Sequence, residues 1–93
     1  MYEVVQVLPQ PDFSVYVYFS DGIIKKYDVT PLLDKGVFKQ LSDPVIFNDR
    51  CTVMNNTLAW DISGVFDPYT CIDIAPETIY EKSITVTDPL ISN

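Results

Sequence analysis

The stretch Phe13–Asp28, FSVYVYFSDGIIKKYD, decides how the rest of the chain can fold. Its first half alternates apolar and more polar side chains, which predicts a half-buried β-strand. Ser20-Asp21-Gly22 marks a tight turn, so the second half is expected to return as an antiparallel partner. One face of the predicted first strand carries Phe13, Val15, Val17 and Phe19, and the other carries Ser14, Tyr16 and Tyr18.

Two registers are open to this hairpin. A two-residue Asp21-Gly22 loop would pair Ser20 with Ile23, whereas a three-residue loop with a left-handed Gly22 would pair Phe19 with Ile23. The three-residue loop buries more apolar area and is preferred, with Lys25 as the only misfit on the buried face. That face would gather Val15, Val17, Phe19, Ile23, Tyr27 and Val29.

The flanking segments predict further strands and short helices. Tyr2–Leu8 is rich in β-branched residues and indicates a strand, which ends at the turn Pro9-Gln10-Pro11-Asp12. Thr30-Pro31 and Asp43-Pro44 are N-cap-then-proline signals, so Pro31–Phe47 is predicted to form short helical turns against the sheet.

The second half of the chain predicts a further hairpin. Its strands would be Arg50–Met54 and Thr57–Trp60, joined at Asn55-Asn56, because Asn tolerates positive φ. Cys71–Ile74 predicts a short strand, and Pro76–Glu81 a final helical turn.

Together these elements predict an α+β fold. It would contain one curved antiparallel sheet of about five strands with short helices packed against it. Residues 1–82 are expected to form a single domain, because 93 residues suit one domain only. Residues 83–93 are expected to form an extended or frayed tail.

The acidic balance of the chain constrains its partners. Six basic residues face thirteen acidic ones, which gives a formal charge of −7. Direct binding to nucleic acid or to an anionic membrane is not expected, since both depend on Lys and Arg. A basic protein is the favoured kind of charged partner, although a plain solubilising surface would explain the charge equally well.

The cysteines suggest a compartment. Cys51 and Cys71 are interpreted as buried thiols in a reducing cytoplasm, since a small secreted domain would usually carry more cysteines. Met1–Gln10 has no apolar leader, and no apolar stretch approaches membrane-spanning length.

The chain lacks the residue types that several classes of catalytic chemistry require. The chain has no histidine, its three glycines form no phosphate-binding loop, and its cysteines lack metal or redox spacing. An enzyme is therefore not expected, and neither is a cofactor. The alternative is a small-ligand or metal-binding domain that uses the carboxylates of Asp61, Asp67, Asp73 and Glu77. Turn and capping roles would also explain these carboxylates.

Aromatic residues supply a second candidate surface. Tyr16 and Tyr18 are expected on the outer face of the sheet with Ile24, either covered by the short helices or exposed as a protein contact. Trp60 is expected to anchor the core rather than to stack on a ligand. The full candidate interaction surface comprises Tyr16, Tyr18, Trp60, Asp61, Asp67, Asp73 and Glu77.

Four stretches resemble domain-of-unknown-function family 2442, a family of short bacterial proteins. They are Phe19-Ser20-Asp21-Gly22, Asp28–Phe38, Ala59-Trp60-Asp61 and Cys71–Glu81. The resemblance implies a small α+β fold with a curved antiparallel sheet, and it supplies no catalytic residues. It also implies an antitoxin-like role, because members are often encoded beside a second small protein.

The sequence and this resemblance together favour a non-catalytic interaction module. Its expected partner is a small protein, possibly a basic one, that is encoded nearby. A homodimer is also compatible with the sequence, since small domains gain buried area by pairing and exposed sheet edges invite it.

Overall fold

A computed structural model gives the fold of the protein and describes residues 2–64 and 71–90. Its helical elements are two 3-10 helices (Thr30–Leu32 and Gly36–Ser42), α1 (Pro44–Asp49) and α2 (Pro76–Lys82). Its strands are β1 (Val4–Pro9), β2 (Ser14–Phe19), β3 (Ile24–Asp28), β4 (Cys51–Met54), β5 (Thr57–Trp60), β6 (Ile72–Asp73) and β7 (Ile84–Val86).

The described strands form two antiparallel sheets. One has four strands in the order β1-β2-β3-β7, and the other has three in the order β4-β5-β6. The α+β class is confirmed, but the prediction of one curved sheet of about five strands is wrong. The hydrophobic pattern predicts which face of a strand is buried, not which strands become neighbours. The segment predicted as an extended or frayed tail supplies β7, which pairs with β3.

The β2–β3 hairpin adopts the three-residue loop. Tyr18 lies opposite Ile24, and the Phe19 amide donates to the Ile23 carbonyl at 2.9 Å. Gly22 has φ +89°, a left-handed conformation that glycine adopts without steric penalty. The preferred register is confirmed because it places Val15, Val17, Phe19 and Tyr27 together in the core.

The β1–β2 hairpin repeats this loop with an unusual residue. The Gln10 amide donates to the Ser14 carbonyl at 2.8 Å, and the Phe13 amide donates to the Gln10 carbonyl at 3.2 Å. Phe13 thus takes the place that Gly22 holds in the next loop, and its φ is +63°. Strand β2 therefore begins at Ser14 and not at Phe13. The Phe13 ring packs edge-on against Phe47, with 5.1 Å between ring centroids.

The left-handed backbone at position 13 predicts that glycine is more stable there than alanine. Both Phe13→Gly and Phe13→Ala lose the ring contact with Phe47. Alanine keeps the steric penalty of the left-handed backbone, which is roughly 1 kcal/mol, and glycine does not. We expect Phe13→Gly to be the more stable of the two by that amount in urea unfolding. Equal stabilities, or a more stable alanine variant, would contradict the left-handed assignment.

The core lies between the two sheets and is closed by the helices. Trp60, Leu58 and Ile79 are fully buried in it, together with the inner side chains of β2. Lys25 is also buried there, and its ammonium group lies 4.5 Å from the centroid of the Tyr80 ring. A cation–π contact of this kind offsets the desolvation of the Lys25 ammonium group.

Local signals at the remaining turns are largely confirmed. Asn55 and Asn56 both have positive φ and form the β4–β5 turn. The Asp43 carboxylate caps α1 by accepting the Val45 amide at 2.9 Å. Thr30 is not the N-cap that the sequence predicts, because it lies inside its 3-10 helix. Its amide donates a hydrogen bond to the Asp28 carboxylate at 3.0 Å.

Candidate functional site

The outer side of the four-stranded sheet carries a continuous group of apolar and aromatic side chains. Antiparallel pairing sets Leu8, Tyr16, Lys26 and Ile84 in one row across the strands. A second row contains Gln6, Tyr18, Ile24 and Val86. Directly paired residues share a face, so both rows point away from the core. The tyrosine face is defined here as the apolar members, which are Leu8, Tyr16, Tyr18, Ile24, Ile84 and Val86.

The described helices pack on the opposite side of this sheet. Tyr80 of α2 meets Phe19 at 5.0 Å between ring centroids, and Phe47 of α1 meets Phe13. Phe19 belongs to the buried face of β2, so α2 closes the core there. Within residues 2–64 and 71–90, the helices therefore cover the core and leave the tyrosine face open. Its outermost residue, Ile84, is 64% exposed.

The segment after β7 reaches this face through one polar contact. The Tyr18 hydroxyl donates to the Asp88 carboxylate at 2.7 Å, and the same oxygen accepts the Leu90 amide at 2.8 Å. Partial desolvation raises the pKa of Tyr18 to about 12, and the neighbouring Asp88 carboxylate adds to the increase. Both effects disfavour the phenolate and keep the hydroxyl as a donor.

Removing the charge of Asp88 is expected to lower the pKa of Tyr18. Asp88→Asn removes the carboxylate that opposes the phenolate, and NMR observation of the tyrosine ring across pH 8–13 measures the shift. The pKa of Tyr18 is higher in the folded protein than in the unfolded chain, so its protonated hydroxyl makes its full contribution to the free energy of unfolding below pH 10. That contribution is lost as the pH rises from 10 toward 12. Asp34→Asn is the matched control, and an unchanged Tyr18 titration in Asp88→Asn would contradict the contact.

One end of the tyrosine face carries mixed charge. The Lys26 ammonium lies 5.6 Å from the Tyr16 ring centroid and 3.7 Å from the Asp12 carboxylate. An open cavity of about 370 Å³ lies beside it and is lined in part by Asp28 and Lys82. Charges of both signs therefore border the apolar rows at this end.

Trp60 does not belong to any exposed surface. It is fully buried, and its indole N–H donates to the Phe47 carbonyl at 3.0 Å. Its ring also packs against Phe47, with 5.5 Å between centroids. Its inclusion in the candidate surface is therefore wrong, and its expected role as a core anchor matches its position.

The predicted carboxylates are not brought together by the described structure. Asp61 is buried and accepts hydrogen bonds from the Ser63 hydroxyl and the Gly64 amide within its own turn. Asp73 and Glu77 are exposed, on β6 and in the first turn of α2. Asp67 lies outside the described residues.

Asp61 and Asp73 line different cavities. The Asp61 cavity has about 190 Å³ and also contains Arg50, whereas the Asp73 cavity has about 380 Å³ and contains Phe38. Among residues 2–64 and 71–90, no three Cys, Asp or Glu side chains are grouped closely enough to hold a metal ion. In the part of the chain that the structure describes, no helix is long and apolar enough to span a bilayer.

Several residues of the tyrosine face were missed at the sequence level. Leu8, Ile84 and Val86 join it only because β1 and β7 flank the central hairpin, and Asp88 reaches Tyr18 for the same reason. A signal for β7 is present in Ile84-Thr85-Val86, which alternates and is rich in β-branched residues.

The described residues define a class of protein, a small α+β domain in which two antiparallel sheets enclose a core and the larger sheet has an open outer face. A family model described as "Protein of unknown function (DUF2442)" matches residues 4–85. The chain therefore belongs to this family, which confirms the resemblance drawn from its sequence. Neither the search of curated proteins nor that of solved structures gave a significant match.

Proposed function

We propose that this protein is a non-catalytic interaction module that binds a protein partner through the tyrosine face. The observation that carries the proposal is the open, aromatic outer side of the four-stranded sheet. Tyr16, Tyr18 and Ile24 stand side by side there, and Ile84 extends the group to the sheet edge. Ile84 is exposed and the other five members of the tyrosine face are half-buried, and a contiguous apolar surface of this kind on a small domain is a mark of an interaction site.

Tyrosine suits this role for energetic reasons. Its ring provides a large apolar area with few rotatable bonds, so little entropy is lost when a partner covers it. Tyr18 is held further by its hydrogen bond to Asp88, and the Tyr16 ring lies beside the Lys26 ammonium. Both rings are thus partly ordered before a partner arrives, which lowers the entropic cost of binding.

The charge of the chain favours a basic partner. A net charge of −7 would attract a positively charged protein and speed the encounter. The proposed partner is a small basic protein encoded beside this one, and the proposed role is antitoxin-like. We place the pair in a reducing cytoplasm, in keeping with the half-buried Cys51, whose desolvation raises its pKa to about 12 and so lowers the fraction of reactive thiolate.

Co-expression with the product of the neighbouring gene tests this function. The two proteins are expected to co-purify, and growth arrest caused by the neighbour alone is expected to be relieved by this chain. Ile84→Ser should weaken both effects, whereas Val45→Ser, at an equally exposed site on α1, should not. A neighbour that never co-purifies and whose effect on growth is unchanged would refute the proposal.

A further inference from the structure

The two edges of the four-stranded sheet differ in how they are protected. At the β1 edge, the register shifts between Val4 and Gln6, the strand ends at Pro9, and the Val4 amide donates to the Asn56 carbonyl at 2.9 Å. Bulges, prolines and contacts of this kind are the usual means of blocking an edge. The β1 edge is therefore closed to a further strand.

The β7 edge has none of these protections within the described residues. The segment Ser83–Thr87, SITVT, consists of β7 and one residue on each side, and it contains no charge and no proline. The pairing of Ile84–Val86 with β3 is regular. Ile84 and Thr85 are both exposed. In the part of the chain that the structure describes, β7 is the last strand of its sheet. A short, uncharged, β-prone edge strand is a template for pairing with another chain.

We propose that β7 pairs antiparallel with β7 of a second copy of this chain, about a two-fold axis at Thr85. This register sets Ile84 opposite Val86 of the second copy, and Ser83 opposite its Thr87. Opposed apolar pairs and opposed hydroxyl pairs both stabilise neighbouring strands. The strand is thus complementary to itself, as an isologous dimer contact requires.

Charge selects the same register. Lys82, the last residue of α2, precedes the uncharged segment, and Asp88, whose carboxylate also accepts the Tyr18 hydroxyl, follows it. Antiparallel pairing about Thr85 sets the Lys82 of each copy opposite the Asp88 of the other. An axis moved to Ile84 would set Val86 against Lys82, and an axis at Val86 would set Ile84 against Asp88. Only the Thr85 register opposes apolar with apolar residues and joins opposite charges.

The overall acidity of the chain does not oppose this contact locally. Lys25 and Lys26 on β3, together with Lys82, lie close to β7 and offset part of the acidic charge at this edge. The remaining charges act over longer distances and are screened at physiological salt. Joining the two copies would extend the four-stranded sheet to eight strands. The inference does not depend on the proposed function, since it concerns the sheet edge.

Sedimentation velocity over a concentration series, from about 10 µM to about 1 mM, tests the dimer because short interfaces associate weakly. The average mass is expected to rise from the monomer value of 10.6 kDa toward twice that value. Thr85→Lys places two ammonium groups face to face on the axis and should weaken association at least about tenfold. Gln40→Lys adds the same charge at an exposed site on the second 3-10 helix and should leave association unchanged.

A charge exchange tests the register independently. Lys82→Glu alone and Asp88→Lys alone each oppose like charges in a self-dimer, so both variants should remain monomeric where the wild type associates. A mixture of the two restores both opposite-charge pairs and should form a mixed dimer. A wild type that is monomeric up to about 1 mM would overturn the proposal. A dimer that is insensitive to Thr85→Lys, or a mixture that does not associate, would overturn it equally.

Discussion

Replacing Trp60 by alanine is expected to lower the free energy of unfolding by about 4 kcal/mol. Trp60, on β5 of the small sheet, is fully buried and packs against Phe47 of α1, so truncation leaves a large cavity. It also leaves the buried Phe47 carbonyl without its indole donor, which costs a further part of that energy. Native domains have a total stability of about 5–15 kcal/mol, so this loss is a large part of it, and the variant should unfold at a clearly lower urea concentration.

Trp60→Phe separates the two contributions. It retains an aromatic ring of smaller volume but removes the N–H donor, so a loss of about 1–3 kcal/mol is expected. Urea unfolding followed by far-ultraviolet circular dichroism measures all three proteins, since the chain has one tryptophan and the variants lose its fluorescence. A loss below about 1 kcal/mol in Trp60→Ala would contradict the burial of this residue.

Truncation of Tyr16 is expected to weaken binding of the partner about thirtyfold. Tyr16 occupies the centre of its row on the tyrosine face, between Leu8 and Lys26. Buried tyrosines at the centre of an interface typically contribute 2 kcal/mol or more, which corresponds to about that factor in Kd. Isothermal titration of purified Tyr16→Ala with the product of the neighbouring gene measures the change.

Matched surface variants show whether the effect belongs to the tyrosine face. Ile84 and Val45 are each 64% exposed, but only Ile84 lies on that face. Ile84→Ser is expected to weaken binding about five- to tenfold, as loss of one partly buried aliphatic contact would. Val45→Ser should leave Kd unchanged. Equal effects of the two variants, with unchanged melting temperatures, would rule out the tyrosine face as the binding site.

Local features of the fold could be predicted because their causes are local. Gly22 determines the register of the β2–β3 hairpin, since a left-handed residue is needed at that point of the loop. The Asn55-Asn56 turn and the Asp43-Pro44 helix cap could be predicted for the same reason, because the atoms that form them come from adjacent residues. Phe13 departs from this pattern, because packing against Phe47 outweighs the steric cost of its φ.

Long-range features could not be predicted from the same patterns. The addition of β7 to β3 joins residues about sixty positions apart, and the Tyr18–Asp88 contact spans 70 positions. Alternation within a segment indicates a strand but does not identify its neighbour. The division into two sheets, and the open outer side of the larger one, therefore became evident only from the structure.

The carboxylates show that closeness in sequence also fails to predict which side chains meet. Asp61 and Asp73 are close in sequence, but Asp61 turns inward to its own loop and Asp73 points outward from β6. Proximity along a loop does not bring side chains to one point. Asp61 lies in the turn that follows β5, whereas Asp73 lies on β6, and the two side chains line separate cavities.

Hydroxyl-radical footprinting of the complex with the neighbouring gene product tests the binding site most directly. Oxidation of Tyr16 and Tyr18 is quantified by mass spectrometry with and without the partner, and Val45 serves as the exposed internal reference. We predict that oxidation of both tyrosines falls severalfold on binding while that of Val45 is unchanged. Protection of Val45, with Tyr16 and Tyr18 as reactive as in the isolated protein, would contradict a partner bound on the tyrosine face.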